Sequence, residues 1–332
     1  MDVTIVGADA IGSITGAHLA RAGHRVLFHI IREIEEGRRR MDWANLTEID
    51  RAGRQVIYLV DGDGLLYRAA NAIPYFTNDR GLPTNGLHGF AAMLRILLRE
   101  ARPSSMAVAF TADPPLRRHT LDPAYKINHY EHPEEIKRQL PYAIRIVTAL
   151  GLHAFLEAGL EADDVIVTLL GRMPGGEVRI VSNDRDFYQL VSRRVRMLIP
   201  LRGVTEMREV GPADVHAAFG VSPAQIPDAK ALIGDASDDI PGVPGIGPKT
   251  AAALLKDHAT VERLLDRLDR VPSPRIREQL ASMRDRILLN KQLVLLRPVP
   301  MRSRRVDLRV TRPRREALAA LVEETGVASL GR

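Results

Sequence analysis

Residues 55–64 read "QVIYLVDGDG", an unbroken apolar run that ends in acidic residues and glycine. A short run of this kind is typical of a strand that is buried on both faces of a parallel sheet. Helical spacing of apolar residues follows in "GLHGFAAMLRILLREA" (86–101), and a second buried strand follows in "SSMAVAFTAD" (104–113). Because strand and helix patterns alternate, we predict an α/β fold with a mainly parallel central sheet flanked by helices.

Acidic residues recur where the predicted strands end. Asp61 closes the first strand, and Asp184 and Asp186 follow the strand-like segment "VRIVS" (178–182). In an open parallel sheet, ligands bind in the crevice at the carboxyl ends of the strands. We therefore expect these carboxylates to share one edge of the sheet.

Two further segments carry acids three residues apart, Glu161 and Asp164 in one and Asp235 and Asp238 in the other. Taken alone, the acids at 161–164 are as typical of a helix-dipole complement as of metal ligands, and Asp235 and Asp238 are more typical of turn residues than of ligands. A cluster of roughly eight carboxylates with few cations among them is stable only around hard cations, which take oxygen ligands. The sequence therefore predicts one or two Mg²⁺ or Mn²⁺ ions, which could clamp the oxygens of a phosphodiester.

The composition narrows the class of protein. The chain has 332 residues, 45% of them hydrophobic, which suits about two globular domains. Its net charge of +6 favours phosphate-rich partners, although its arginine richness is equally consistent with coding bias. The lack of cysteine excludes disulfides and thiolate metal sites. With no signal peptide and no apolar run of about 20 residues, we expect a cytoplasmic protein without a membrane segment.

Several motifs, taken in order, resemble the structure-specific 5′-nuclease family. This family includes flap endonucleases and the 5′–3′ exonuclease domain of bacterial DNA polymerase I. The most specific motifs are "EADD" (161–164), "SNDRDFYQL" (182–190) and "GDASDDIPGVPGIGPKTA" (234–251). The resemblance runs from about residue 55 to near the C-terminus and implies a PIN-like core. It also implies a free-standing, monomeric enzyme that hydrolyses phosphodiester bonds of DNA at 5′ ends or branched junctions.

The resemblance assigns roles to individual residues. Tyr125 and Lys126 match the Tyr-Lys pair of the family's arch, where the lysine places or polarises the scissile phosphate, and Arg118 would contact phosphate nearby. The implied metal ligands are Asp61, Glu161, Asp163, Asp164, Asp184, Asp186, Asp235 and Asp238.

Two positions depart from the family pattern. The family usually has Asp directly after the Phe that ends its second strand, whereas this chain has Thr111, with Asp113 as a possible substitute two residues later. Loss of that charge predicts weaker binding of one metal ion, and reduced or Mn²⁺-dependent activity. His129 stands where the family tends to carry Arg, so that position is mostly uncharged at neutral pH.

Residues 242–255, "GVPGIGPKTAAALL", predict a helix–hairpin–helix that grips duplex backbone without reading its sequence. Gly245 and Gly247 would let the backbone approach a phosphate, Lys249 would add charge and Thr250 a hydroxyl. An ordinary Gly/Pro turn is the alternative. The resemblance also implies K⁺ held by hairpin carbonyls. The basic run 117–119, Arg-Arg-His, suits a single-strand path or a solvated loop.

Residues 1–31 weakly resemble the opening βαβ of a ketopantoate-reductase-type dinucleotide-binding domain, with the pattern Gly7-x-Asp9-x-x-Gly12. Asp9 replaces the glycine that would let pyrophosphate approach, so we expect no NAD(P).

The patterns together predict three parts: an N-terminal extension and linker over 1–53, a nuclease core over 54–210 with an arch at about 113–135, and a helical DNA-binding region over 211–332 with its helix–hairpin–helix at 240–256. Three other functions remain open at this stage. They are a catalytically impaired binder of branched DNA, a nicotinamide oxidoreductase and an RNase with a similar acidic site.

Overall fold

The structure is a computed structural model that describes residues 56–128, 133–173, 175–202, 206–303 and 307–331. The predicted N-terminal extension, including the dinucleotide-binding pattern, lies outside the described residues, and so does His129.

A single sheet of six strands forms the centre of the fold. The strands are β1 Val56–Asp61, β2 Ser105–Phe110, β3 His153–Leu156, β4 Glu177–Val181, β5 Val195–Arg202 and β6 Glu206–Val210. Their order is β3-β2-β1-β4-β5-β6, and every neighbouring pair is parallel except the antiparallel β5–β6 hairpin. The chain therefore changes direction across the sheet at β1, and such a switch point opens a crevice at the carboxyl ends of the strands.

Strand β1 is buried along its whole length, as its apolar run predicts. Ile57 and Leu59 point into one hydrophobic core, and Tyr58 and Val60 point into another on the opposite face. Because successive side chains of a strand alternate between faces, a continuous apolar strand requires cover on both sides.

Eleven helices are present among the described residues. They are α1 Gly62–Ala72, α2 Asn85–Ala101, α3 Glu134–Ala149, α4 Ala162–Arg172, α5 Pro212–Phe219, α6 Ile226–Ile233, α7 Pro248–His258, α8 Val261–Leu265, α9 Pro274–Ser282, α10 Arg284–Val294 and α11 Arg315–Thr325. Helices α1, α2, α3 and α11 contribute to the core on one face of the sheet, and α4 to α10 contribute to the other. None of the helices in this part of the chain combines the length and apolar character needed to cross a bilayer.

The turn from β1 into α1 brings the first strand close to the end of the second. A Cβ at Gly62 would lie 2.5 Å from the ring of Phe110, so only glycine fits there without displacing β2. Asp61 then caps α1 by accepting a hydrogen bond from Gly64 N at 2.8 Å. The local sequence thus fixes the start of α1 beside the carboxyl end of β2.

The predicted mainly parallel sheet, the three strands at its centre and the helical region after residue 211 are confirmed. Strands β3, β5 and β6 were not predicted individually. A hairpin joins α6 to α7, and α6 precedes the predicted helix–hairpin–helix range 240–256. The bounds of that motif and of the domains stay a prediction.

Candidate active site

Two strand ends supply the first group of carboxylates. Asp61 is buried at the end of β1, and its Oδ2 accepts a hydrogen bond from Ser182 Oγ at 2.7 Å. The same Ser182 oxygen accepts a hydrogen bond from Asp184 N at 2.9 Å. Burial, and then the charge of Asp63, raise the pKa of Asp61 to about 7. The switch point therefore carries carboxylates that are hard to ionise together.

Helix α4 adds a third carboxylate to this group. Asp163 lies in the first turn of α4. Desolvation, and then the charge of Asp184, raise the pKa of Asp163 well above its ordinary value. Asp61 acts on Asp163 in the same direction. Asp61, Asp163 and Asp184 therefore lie close enough for their charges to interact, and a metal ion shared among them stays a prediction.

Glu161, which caps α4, has a different environment. It is buried, and one of its oxygens accepts a hydrogen bond from Lys126 Nζ at 2.6 Å, while the other bonds to Arg118 Nη1. The hydroxyl of Tyr125 lies 3.2 Å from Glu161 Oε1. Burial alone would raise the pKa of Glu161, but the two cations lower it to about 2. Glu161 is therefore ionised and already paired.

Arg118 is an internal counter-ion in this structure. Its side chain is only 2% exposed, and it donates to Asp164 Oδ2 at 3.0 Å and to the carbonyl oxygen of Leu293 at 2.8 Å. Asp164, at 1% exposure, contacts Arg118 and Arg117, and its role as a metal ligand stays a prediction. Contact between Arg118 and phosphate stays a prediction, because the guanidinium bonds to protein groups here.

Its neighbours in the basic run are also held by the protein. Arg117 Nη2 lies 3.7 Å from Asp164 Oδ1, and His119 Nδ1 accepts a hydrogen bond from Leu116 N at 2.9 Å. The run 117–119 is thus a structured turn that packs against α4 rather than a solvated loop.

Lys126 is better placed than Arg118 to meet a ligand. Its side chain is 26% exposed, and its Nζ lies 3.4 Å from Asp238 Oδ1 as well as beside Glu161. Its backbone adopts a left-handed conformation with φ of 53°, and its amide donates to the carbonyl oxygen of Asp238 at 3.0 Å. The ion pairs with Glu161 and Asp238 hold the ammonium group between these two carboxylates. Tyr125, which is buried, lies beneath it, with Nζ 5.2 Å from the ring centre.

A second group of carboxylates surrounds Lys230. Asp186, Asp235 and Asp238 each present an oxygen, and the three oxygens lie within 4.8 Å of one another. Lys230 Nζ pairs with Asp186 and lies 2.6 Å from Asp235 Oδ2. Burial would raise the pKa of Asp235, but the hydrogen bond from Lys230 lowers it. All three are predicted metal ligands, and the structure brings them together.

Two charged residues of the site were not predicted from the sequence. Lys230 lies on α6, five residues before Asp235, and no motif singled it out. Asp63 is buried two residues after Asp61, and its Oδ2 accepts a hydrogen bond from Thr111 N at 2.7 Å. Asp113, the predicted substitute at this end of β2, is exposed. Burial raises the pKa of Asp63 to about 6 despite hydrogen bonds from Thr111.

The hairpin between α6 and α7 turns its glycines outward. A Cβ at Gly245 or at Gly247 would meet nothing within 4 Å, and Gly245 has φ of 83°. Val243 and Ile246 are buried on the inner side, and Val243 N donates to the carbonyl oxygen of Leu232 at 2.8 Å. Lys249 is exposed and Thr250 half-buried in the first turn of α7. The predicted DNA-binding residues therefore form one face at a helix N-terminus.

Comparison with known proteins identifies the fold and the family. Residues 56–220 match the 5′–3′ exonuclease N-terminal resolvase-like domain, and residues 221–316 match the 5′–3′ exonuclease C-terminal SAM fold. DNA polymerase I of Bacillus caldotenax is 38% identical over 279 residues, which cover 83% of this chain and 32% of that protein. The thermostable DNA polymerase I of Thermus thermophilus is 39% identical over 278 residues, covering 82% of this chain and 32% of that protein. The chain thus spans about a third of the length of these relatives.

Solved structures share the same fold at lower identity. The bacteriophage T5 D15 protein, co-crystallised with metal ions, has a TM-score of 0.60 and 20% identity, covering 83% of this chain and 96% of that one. Human GEN1, in complex with Holliday junction DNA, has a TM-score of 0.58 and 14% identity, covering 92% of this chain and 73% of that one. The motif order and the sheet with its acidic switch point agree with the two matched domains. Because these domains together cover residues 56–316, the chain belongs to the 5′–3′ exonuclease family.

Proposed function

We propose that the chain is a divalent-metal-dependent 5′–3′ exonuclease and flap endonuclease. Its substrate is DNA, cut at phosphodiester bonds near 5′ ends and branched junctions. The observation that carries the proposal is the convergence of carboxylates from separate segments at the switch point of the sheet. Two T5 structures of the same fold support it, because one is a flap endonuclease complex with DNA and metal ions and the other is a 5′-exonuclease with bound zinc.

The donor set fits a hard divalent cation. Oxygens of Asp186, Asp235 and Asp238 lie within 4.8 Å of one another, a spacing that one ion can bridge. Asp61 and Asp163 have raised pKa values because of burial and neighbouring carboxylates, and a dication would relieve that repulsion. Oxygen-only ligands favour Mg²⁺ or Mn²⁺ over softer metals. When bound, such ions activate water and stabilise the charge that develops on the phosphodiester.

The basic residues have separate tasks in this proposal. Lys126, fixed between Glu161 and Asp238 and partly exposed, orients the scissile phosphate and offsets its charge. Tyr125 supports that ammonium group from below. Arg118 holds Glu161 and Asp164 in place from inside the protein, and it contacts phosphate only if the arch rearranges on the substrate.

The hairpin between α6 and α7 holds duplex DNA away from the cutting site. Amides near Gly245 and Gly247 approach a backbone phosphate, with Lys249 and Thr250 beside it. A K⁺ ion bound by hairpin carbonyls is part of the same proposal. We also propose the division into core and helical DNA-binding region, and action as a monomer.

Replacing Lys249 with Ala is expected to weaken duplex binding several-fold. The slope of the logarithm of the binding constant against the logarithm of salt concentration should become shallower by about one. Cleavage at saturating DNA should change little, since the lysine lies outside the acidic site. Fluorescence anisotropy over a KCl series measures both quantities. Lys256→Ala, at an exposed position in the last turn of the same helix, is the matched control. Equal losses in the two variants would mean that the hairpin does not set the contact.

A labelled 5′-flap duplex, incubated with Mg²⁺, with Mn²⁺ or with EDTA, tests the proposed activity. We expect cleavage near the junction with either metal, none with EDTA, and a steep fall in cleavage as salt rises. A matched RNA substrate should be cut far less. Tight flap binding with no cleavage in any metal would instead support the catalytically impaired binder suggested by Thr111.

A further inference from the structure

We propose that Asp63 is a metal-ligating carboxylate of this site and supplies the charge that Thr111 lacks. The inference rests on the proposed metal-dependent function. It concerns which residues of this chain complete the site, and it assigns a role to a side chain outside the eight predicted ligands.

The turn between β1 and α1 fixes where Asp63 lies. Asp61 pairs with Ala109 in the β1–β2 ladder, and Gly62 approaches the ring of Phe110 more closely than any side chain would allow. Asp63 is therefore carried directly to the end of β2. Its Oδ2 accepts a hydrogen bond from Thr111 N at 2.7 Å, so its carboxylate occupies the neighbourhood of the residue where the family pattern has Asp.

One oxygen of Asp63 has no partner. Oδ1 is buried without a hydrogen bond, and the residue as a whole is only 9% exposed. A buried acceptor left unsatisfied is costly, and native proteins rarely retain one without a ligand, water or ion. Thr111 N donates to Oδ2, and the Thr111 side chain also acts on this carboxylate, yet Oδ1 keeps no hydrogen bond. A purely structural role at the start of α1 therefore leaves Oδ1 unexplained.

The charges around Asp63 are those of the active site. Lys126 and Glu161 both act on its carboxylate, and Asp63 in turn acts on Asp61. Asp63 therefore lies within electrostatic reach of Asp61, the metal-site acid that ends β1, and of Lys126, the lysine proposed to meet the phosphate. A divalent cation is the ligand class that satisfies a carboxylate oxygen among other carboxylates.

The test is a set of Mn²⁺ titrations followed by electron paramagnetic resonance, without DNA or turnover. The variants are Asp63→Asn, Thr111→Asp and the two combined, with Asp113→Asn as an exposed control. We expect Asp63→Asn to weaken Mn²⁺ binding about 10-fold or more. Adding Thr111→Asp to Asp63→Asn should recover most of that loss, and Asp113→Asn should bind as the unmodified chain does.

Two outcomes overturn the inference: Mn²⁺ binding to Asp63→Asn that equals the unmodified chain, or a loss that Thr111→Asp does not recover. Circular dichroism and melting temperature in chelator verify that each variant is folded. Asp184→Asn separates this inference from the proposed function. If the unmodified chain binds Mn²⁺ and Asp184→Asn does not, the metal site stands whatever Asp63 does. If the unmodified chain binds no Mn²⁺, the proposed function fails first.

Discussion

Replacing Asp184 with Asn is expected to abolish flap cleavage while leaving DNA binding intact. Asp184 follows β4 at the switch point, and its charge acts directly on Asp163. Removing it takes away a proposed metal ligand without touching the hairpin that holds the duplex. Because the metal ions would stabilise the transition state by several kcal/mol, losing one should lower the single-turnover rate about 10³-fold or more.

The measurement combines rapid-quench cleavage of a 5′-flap duplex with anisotropy binding in Ca²⁺. Asp163→Asn should behave in the same way. Asp266→Asn is the matched control, because that side chain is 65% exposed and pairs with Arg284 on the surface. Weakened binding with an unchanged cleavage rate would mean that Asp184 contacts DNA rather than metal.

Replacing Arg118 with Met is expected to destabilise the fold by about 3–5 kcal/mol. Arg118 is 2% exposed and pairs with Glu161 and Asp164, which are themselves buried. Without it, buried negative charge remains uncompensated, which costs far more than a lost surface pair. The burial of Arg118 would lower its pKa, but those two carboxylates raise it, so it is charged when folded.

Urea unfolding at neutral pH measures this loss. Arg117→Met is the matched control, since its side chain is 25% exposed and lies 3.7 Å from Asp164, so a loss of about 1 kcal/mol or less is expected. A similar, small effect in both variants would contradict the role of Arg118 as an internal counter-ion. Comparable stability with lost cleavage would instead favour direct contact with phosphate.

The central strands were predictable because their apolar runs are continuous. β1 and β2 are buried on every residue, and no other strand in the described part of the chain has that pattern. β6 reads "EMREV", a short edge strand whose charged residues give no clear period. In β4, Arg179 is 2% exposed yet paired with Glu177 of the same strand and with Glu209 of β6 across the sheet. Such pairing depends on strand order, which periodicity does not specify.

The acidic residues of the site were predictable from their motifs, but their division into groups was not. Glu161 and Asp164 are neutralised by Arg118, which is more than 40 residues away in the chain. Asp186 and Asp235 share Lys230, which no motif marks. These tertiary contacts decide which carboxylates remain available to bind a ligand.

The place of Asp63 in the site also depends on a tertiary contact that the sequence does not specify. It stands in the stretch that identifies the first strand, yet spacing alone gives no reason to choose it over Asp61. Its bond to Thr111 exists because β1 and β2 are neighbours in register. We therefore expect the carboxylate of Asp63 to replace the one that the family pattern has at position 111, where this chain has Thr.

Anomalous diffraction from crystals grown with Mn²⁺ tests the central claim most directly. We predict Mn²⁺ at the switch point of the sheet, contacting carboxylates from the β1–α1 turn and from the segment after β4. Mn²⁺ absent from this edge, or found only at scattered surface acids while flap DNA is still cut, would contradict it.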